Sequence, residues 1–187
     1  MVDLFRTKYK NEYRVESARL KEWDYSSPWW YYVTINTKDH REWFGRIENG
    51  RMELNELGII VEQEWLKTKT LRANIDLDYF VVMPNHLHGI IILDAVETRR
   101  GESLQKQDTS RFSKPVKNSL SVIINQFKGA VKRWANRNDY HNFAWQPRFY
   151  DRIIRNEKEL YNIRKYIEQN PWRWELDKDK PENICEL

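Results

Sequence analysis

One cysteine, Cys185, in 187 residues excludes an internal disulfide, and a single thiolate cannot supply the ligands of a cysteine-built zinc site or an iron–sulfur cluster. Any metal bound here has to use His, Asp, Glu or amide oxygen. No apolar run approaches the roughly 20 residues that a membrane-spanning helix needs, and the mean hydropathy of −0.87 predicts a soluble chain. Met1-Val2-Asp3-Leu4-Phe5-Arg6 lacks the basic-then-apolar order of a signal peptide, and with the lone cysteine the expected setting is a reducing cytoplasm. No His-Glu-x-x-His is present, which removes helix-borne zinc peptidases, and no Gly-x-x-x-x-Gly-Lys-Ser/Thr, which removes P-loop nucleotidases.

What is present points to a globular chain of one domain, 1–187, since 40% of residues are hydrophobic and 32% charged. Lys and Arg outnumber Asp and Glu by 32 to 28, and the 9 Trp and 10 Tyr help bring aromatic residues to 14%. Basic charge interleaved with flat rings suits single-stranded nucleic acid, where cations follow phosphates and bases stack on rings. A well-packed core with a mildly basic surface has the same composition, so composition does not decide.

Trp29 to Thr37, dense in aromatic and β-branched residues after Ser26-Ser27-Pro28, reads as the first strand of a sheet, preceded by an N-terminal arm over 1–28. Asn49-Gly50 between alternating segments signals a hairpin. Asn55 is placed to cap a helix with Leu57, Ile60, Val61, Trp65 and Leu66 on its apolar face. Tyr79 to Met83 and His86 to Leu93 read as two strands joined by a Pro84-Asn85 turn, the second apolar on both faces and so central in a sheet. Residues 94–118 show no packing periodicity and read as a long mobile loop within the domain.

Ser119 then caps a helix to about Asn138 with Leu120, Ile123, Ile124, Phe127, Ala130, Val131 and Trp134 as its buried stripe and Lys128, Lys132, Arg133 and Arg137 on its other face. Phe143 to Ile154 has strand character. Asn156 and Glu159 form a capping-box pattern for a last helix, which Pro171 is expected to end after Asn170.

His86 and His88 are the sharpest local feature. Residues two apart in a strand share a face at a spacing of about 6.6 Å, so the two imidazoles can converge on one divalent ion. Alone, His-x-His is a weak motif, but Gly89 permits a close approach and Ile90 to Leu93 anchors the strand. A third ligand has to come from elsewhere. In the last helix Tyr166 and Asn170 lie four apart on one face; Tyr150 and Tyr161 are equally available by periodicity, which does not choose among the tyrosines.

Val81-Val82-Met83-Pro84-Asn85-His86-Leu87-His88-Gly89-Ile90-Ile91 resembles the His-hydrophobic-His block of the single-tyrosine HUH transposases, especially the REP-associated tyrosine transposases. Trp145 to Arg155 is similar to the strand before the catalytic helix of that family, and Tyr166-Ile167-Glu168-Gln169-Asn170-Pro171 to the segment bearing its nucleophilic tyrosine and third ligand. By eye the resemblance runs from about Arg14 to Trp174. It implies an α+β fold, a mainly antiparallel sheet with helices on its faces (ferredoxin/RRM-like). It also implies that His86, His88 and Asn170 hold a divalent ion, Mg or Mn, and that Tyr166 attacks single-stranded DNA beside hairpins, leaving a 5′-phosphotyrosine.

The third ligand varies in the wider family, which leaves Gln169 as a neighbour to weigh; Asn170 shares a face with Tyr166. Arg152 stands where many relatives carry His. Arg148, Arg152 and Arg155 flank the expected site and, with Lys132, Arg14 and Arg19, are the candidate DNA-binding cations. The family implies a bacterial, nucleoid-associated setting and both monomers and helix-exchanging homodimers. The rival reading is a non-catalytic single-stranded nucleic-acid-binding protein; a replication initiator or relaxase would need further domains.

Overall fold

Alternation along Trp29–Asn36 organises the molecule, because a strand sends successive side chains to opposite faces. In the computed structural model, which describes residues 8–9, 12–13, 23–95, 116 and 118–176, that segment is a central strand of the main sheet. Its odd residues Tyr31, Val33 and Ile35 enter one apolar cluster, whereas Tyr32 enters another on the far side.

The chain begins with two short paired strands, β1 (Lys8–Tyr9) and β2 (Glu12–Tyr13). They are followed by β3 (Trp29–Asn36), a hairpin of β4 (Gly45–Glu48) and β5 (Arg51–Leu54), helix α1 (Glu56–Thr70), β6 (Ile75–Val82) and β7 (His86–Leu93). Helix α2 (Leu120–Arg137), β8 (Tyr150–Ile153) and helix α3 (Glu157–Leu176) complete it. The main sheet is antiparallel throughout in the order β6-β7-β3-β8. α1 joins β3 to β6 and α2 joins β7 to β8, the βαββαβ arrangement of a ferredoxin-like sandwich. Both helices lie on the odd face of β3, where the Trp65 and Phe127 rings meet edge to face at 5.4 Å; α3 lies on the other face.

The two layers are unequal. Among the described residues, twenty buried ones form the cluster under α1 and α2, but only Tyr32, Ile90, Ile154, Ile163 and Ile167 form the one under α3. A buried Leu, Ile or Val contributes roughly 1.5–3 kcal/mol, so the α3 layer draws less of its hold from apolar burial than the other layer does.

Several local expectations hold. Asn49 and Gly50 take positive φ of 52° and 71°, as a two-residue hairpin turn with right-handed strand twist requires. Asn55 Oδ1 accepts from Gly58 N at 2.9 Å, and Asn156 Oδ1 from Glu159 N at 2.9 Å. β7 lies between β6 and β3 as its apolar composition predicts.

Others are corrected. Leu66 is 48% exposed, since the buried face of α1 runs Leu57, Val61, Trp65 and Thr68. In α2, Ala130 and Trp134 are only half-buried; Ala135 and Lys128 are buried instead. The 143–154 segment narrows to β8 plus one bridge from Trp145 to Thr37. The Glu159 carboxylate does not close a reciprocal box on Asn156 N; it accepts from Arg155 N at 2.9 Å and Arg152 Nε at 2.6 Å.

Pro171 does not end α3, which continues to Leu176. Proline removes one helix bond to the preceding turn, and tertiary contacts hold the turns beyond it. Gly50 N donates to Glu175 Oε2 at 2.7 Å, and a Cβ on Gly50 would lie 3.1 Å from the Trp172 ring. Gly89 also has a different reason from the one expected: a Cβ there would meet Trp65 Cζ2 at 2.4 Å, so it admits an indole from the α1 side. Most of the 1–28 arm, most of the 94–118 loop, Arg14, Arg19 and Cys185 lie outside the described residues. Among the described residues no helix is long and apolar enough to cross a membrane.

Candidate active site

The even residues of β7, His86, His88 and Ile90, share the α3 face of the sheet, and the register sets Asn36 opposite His86 and Thr34 opposite His88. Both imidazoles are 1% exposed. Their Nε2 atoms are 2.9 Å apart.

The outer nitrogens are individually held. Asn85 Nδ2 donates to the His40 carbonyl at 2.9 Å, which orients the amide so that its Oδ1 accepts from His86 Nδ1 at 2.6 Å. His86 therefore carries its proton on Nδ1 and offers the Nε2 lone pair inward. His88 Nδ1 lies 2.7 Å from the Tyr32 hydroxyl and 2.9 Å from Thr34 Oγ1, and the Tyr32 ring stacks on it at 5.6 Å. Burial pushes His86 down to about 3, with the charge of His40 adding to it; burial and then His86 push His88 well below its usual range. Both rings are neutral at neutral pH, the form a metal ligand needs.

α3 covers this pair. The Tyr166 ring is 5.2 Å from His88 and 6.5 Å from Tyr32, and the Trp174 ring is 5.7 Å from His86. Asn170, one turn from each on the same helix face, is 8% exposed, whereas Gln169 is exposed. Tyr161 is 64% exposed; Tyr150, at 45%, approaches Tyr32 at 6.4 Å. The structure thus brings together His86, His88 and Tyr166, with Asn170 on the covering face between the two ring contacts.

The donor set suits a cation. Two neutral imidazoles whose Nε2 atoms face each other at 2.9 Å are nitrogen donors that one divalent ion would accept. Among the described residues no three His, Cys, Asp or Glu side chains cluster in a way that could hold a metal; Asn170 offers an amide oxygen on the covering helix.

The candidate DNA-binding cations separate. Arg148 and Arg155 are exposed. Arg152 is paired with Glu159 at 2.6 Å. With Tyr25 and Tyr150, Arg152 and Arg155 line a groove of about 640 Å³ beside β8 and the start of α3, away from the histidines. Lys132 donates to the carbonyls of His141 and Phe143. Lys128, expected on the solvent face, is 9% exposed and donates to the carbonyls of Gln146 and Arg148.

Sequence reasoning missed Tyr32, Thr34, Asn85 and Trp174. The alternation of β3 does place Tyr32 and Thr34 on one face, but nothing local says that this face meets the histidines.

No protein-family model matches the chain. A Haemophilus influenzae Rd protein, itself uncharacterized, is 39% identical over 162 residues, which is 86% of this chain and 90% of that protein. The solved structure of a REP-associated tyrosine transposase bound to a REP hairpin matches with a TM-score of 0.58 over 90% of this chain and 81% of that one, at 20% identity, a likeness of fold. At 39% identity over nearly the full length of both, the chain belongs to the same protein family as the Haemophilus influenzae protein.

Proposed function

We propose that this chain is a metal-dependent tyrosine transposase or endonuclease of single-stranded DNA, cutting beside hairpin-forming repeats and rejoining strands. The observation that carries the reading is the Tyr166 ring 5.2 Å from that of His88, against a histidine pair whose Nε2 atoms face each other. The shared fold with a transposase bound to a REP hairpin supports the same class of partner.

His86, His88 and Asn170 would hold Mg or Mn, whose charge would polarise the scissile phosphate. A phenol with a reference pKa near 10 is a weak nucleophile, so placement carries much of the rate. The Tyr166 oxygen attacks phosphorus and loses its proton as the new O–P bond forms. The P–O3′ bond breaks, and the leaving oxygen is protonated to a 3′-hydroxyl. The 5′-phosphotyrosine keeps the phosphodiester energy, so a second 3′-hydroxyl can reverse the step and join new ends.

Three residues, 154–156, connect β8 to α3, a short span that supports Tyr166 acting with the histidines of its own chain.

The test is incubation of the protein with labelled single-stranded hairpin oligonucleotides from its genome and Mn or Mg, followed by a denaturing gel and peptide mapping. The expected result is a metal-dependent adduct on Tyr166 that His86→Ala abolishes. Binding without an adduct, across a pool proven to contain the cognate site, would overturn the proposal in favour of a non-catalytic binding protein.

A further inference from the structure

Asn36 Oδ1 is buried and has no hydrogen-bond partner. It stands on β3 directly opposite His86, on the face that carries both histidines. Buried acceptors are nearly always satisfied, so an orphan beside two converging ring nitrogens points to a missing donor.

The backbone beside this amide is held by its neighbours. Gln146 N donates to the Asn36 carbonyl at 2.9 Å, and the Gln146 carbonyl accepts from Lys128. Asn36 Nδ2 donates to Gln146 Oε1 at 3.5 Å, which leaves Oδ1 as the end of the amide without a partner.

We propose that Asn36 is a positioning residue for the cation held by His86 and His88, its Oδ1 accepting a hydrogen bond from a water bound to that cation. The inference rests on the metal-site reading above. The asparagine oxygen is two bonds beyond Cβ and the histidine Nε2 three, from strand partners with Cβ atoms about 5 Å apart, so a water between the amide and a cation on the imidazoles would suit that shorter reach. Holding that water would orient one coordination position and leave others for phosphate oxygens. Partners of this kind typically change metal affinity 10–100-fold.

The test measures Mn²⁺ binding to the full chain by electron paramagnetic resonance titration, without DNA, in wild type, His86→Ala, Asn36→Leu and Asn36→Asp, with thermal unfolding of each. Asn36→Leu keeps the size and removes the acceptor; Asn36→Asp restores an acceptor oxygen. The expected result is at least tenfold weaker binding for Asn36→Leu and binding within threefold of wild type, or tighter, for Asn36→Asp. If Asn36→Leu unfolds, binding by Asn36→Asp and the water-proton relaxation of its bound Mn²⁺ decide: wild-type values support the role, loss of binding overturns it. Equal affinity for wild type and a folded Asn36→Leu also overturns it and leaves the site reading standing. Equal affinity for wild type and His86→Ala overturns the site reading itself, and this inference with it.

Discussion

The rings of Tyr166 and His88 stand 5.2 Å apart, centroid to centroid, inclined at 67°. One residue comes from α3 and the other from β7, so their meeting belongs to the tertiary fold. Tyr166→Phe removes one hydroxyl and keeps the ring against His88 and Tyr32. The expected outcome is complete loss of the covalent DNA adduct, with DNA affinity within about twofold and the unfolding temperature nearly unchanged. Gel and affinity measurements on one preparation check it; an adduct that persists in this variant assigns the nucleophile to another residue, with Tyr150 next in line.

Gly89→Ala should damage the protein from the other side of the sheet. The added Cβ would lie 2.4 Å from Trp65 Cζ2, and Trp65, on α1, is fully buried against β7 and α2. Overpacking of this kind costs about 1–3 kcal/mol. Urea unfolding reads it directly, while Mn²⁺ affinity should stay at the wild-type value, because residue 89 points away from the histidines. Unchanged stability would mean that the indole shifts freely.

These two variants mark what the sequence could reveal. The His86, His88 pair is a local alternation, and Asn49-Gly50, Asn55 and Asn156 each act on residues within a few positions, so all were legible. The error at Pro171 has the opposite origin: the last turns of α3 are tied to Gly50 through Glu175, a contact 125 residues away along the chain. Lys128 shows the limit of periodicity, because a lysine in the register of a polar face is buried once carbonyls 146 and 148 approach its ammonium. Tyr166, Tyr150 and Tyr161 were indistinguishable by spacing. Only the packing of α3 sets Tyr166 against His88 and leaves Tyr161 in solvent.

The basic residues should divide by what their charge already touches. Arg155 is exposed; replacing it with Ala should lower single-strand affinity for any sequence and make the plot of log K against log salt shallower by about 0.7, the contribution of one phosphate contact. Lys132→Met should leave that slope unchanged and lower stability instead, because its ammonium donates to the carbonyls of His141 and Phe143. Fluorescence anisotropy over a salt series separates the two. A slope change for Lys132→Met equal to that for Arg155→Ala would place Lys132 on the DNA.

Lys128 gives the fold a dependence on alkaline pH. Burial lowers its pKa in the folded chain to about 8 from an ordinary 10.5. Between those values the unfolded chain holds a proton that the folded chain has released, so unfolding takes one up and stability rises with pH. Below about 8 the lysine is charged in both states and contributes no slope. Measured against Lys128→Met, which cancels the other titrating groups, wild type should therefore gain stability as pH rises through this window, by at most about 1.4 kcal/mol per unit. Urea midpoints from pH 7 to 10 for both proteins check this. A flat difference would show that the carbonyls of Gln146 and Arg148 stabilise the ammonium enough to offset its burial.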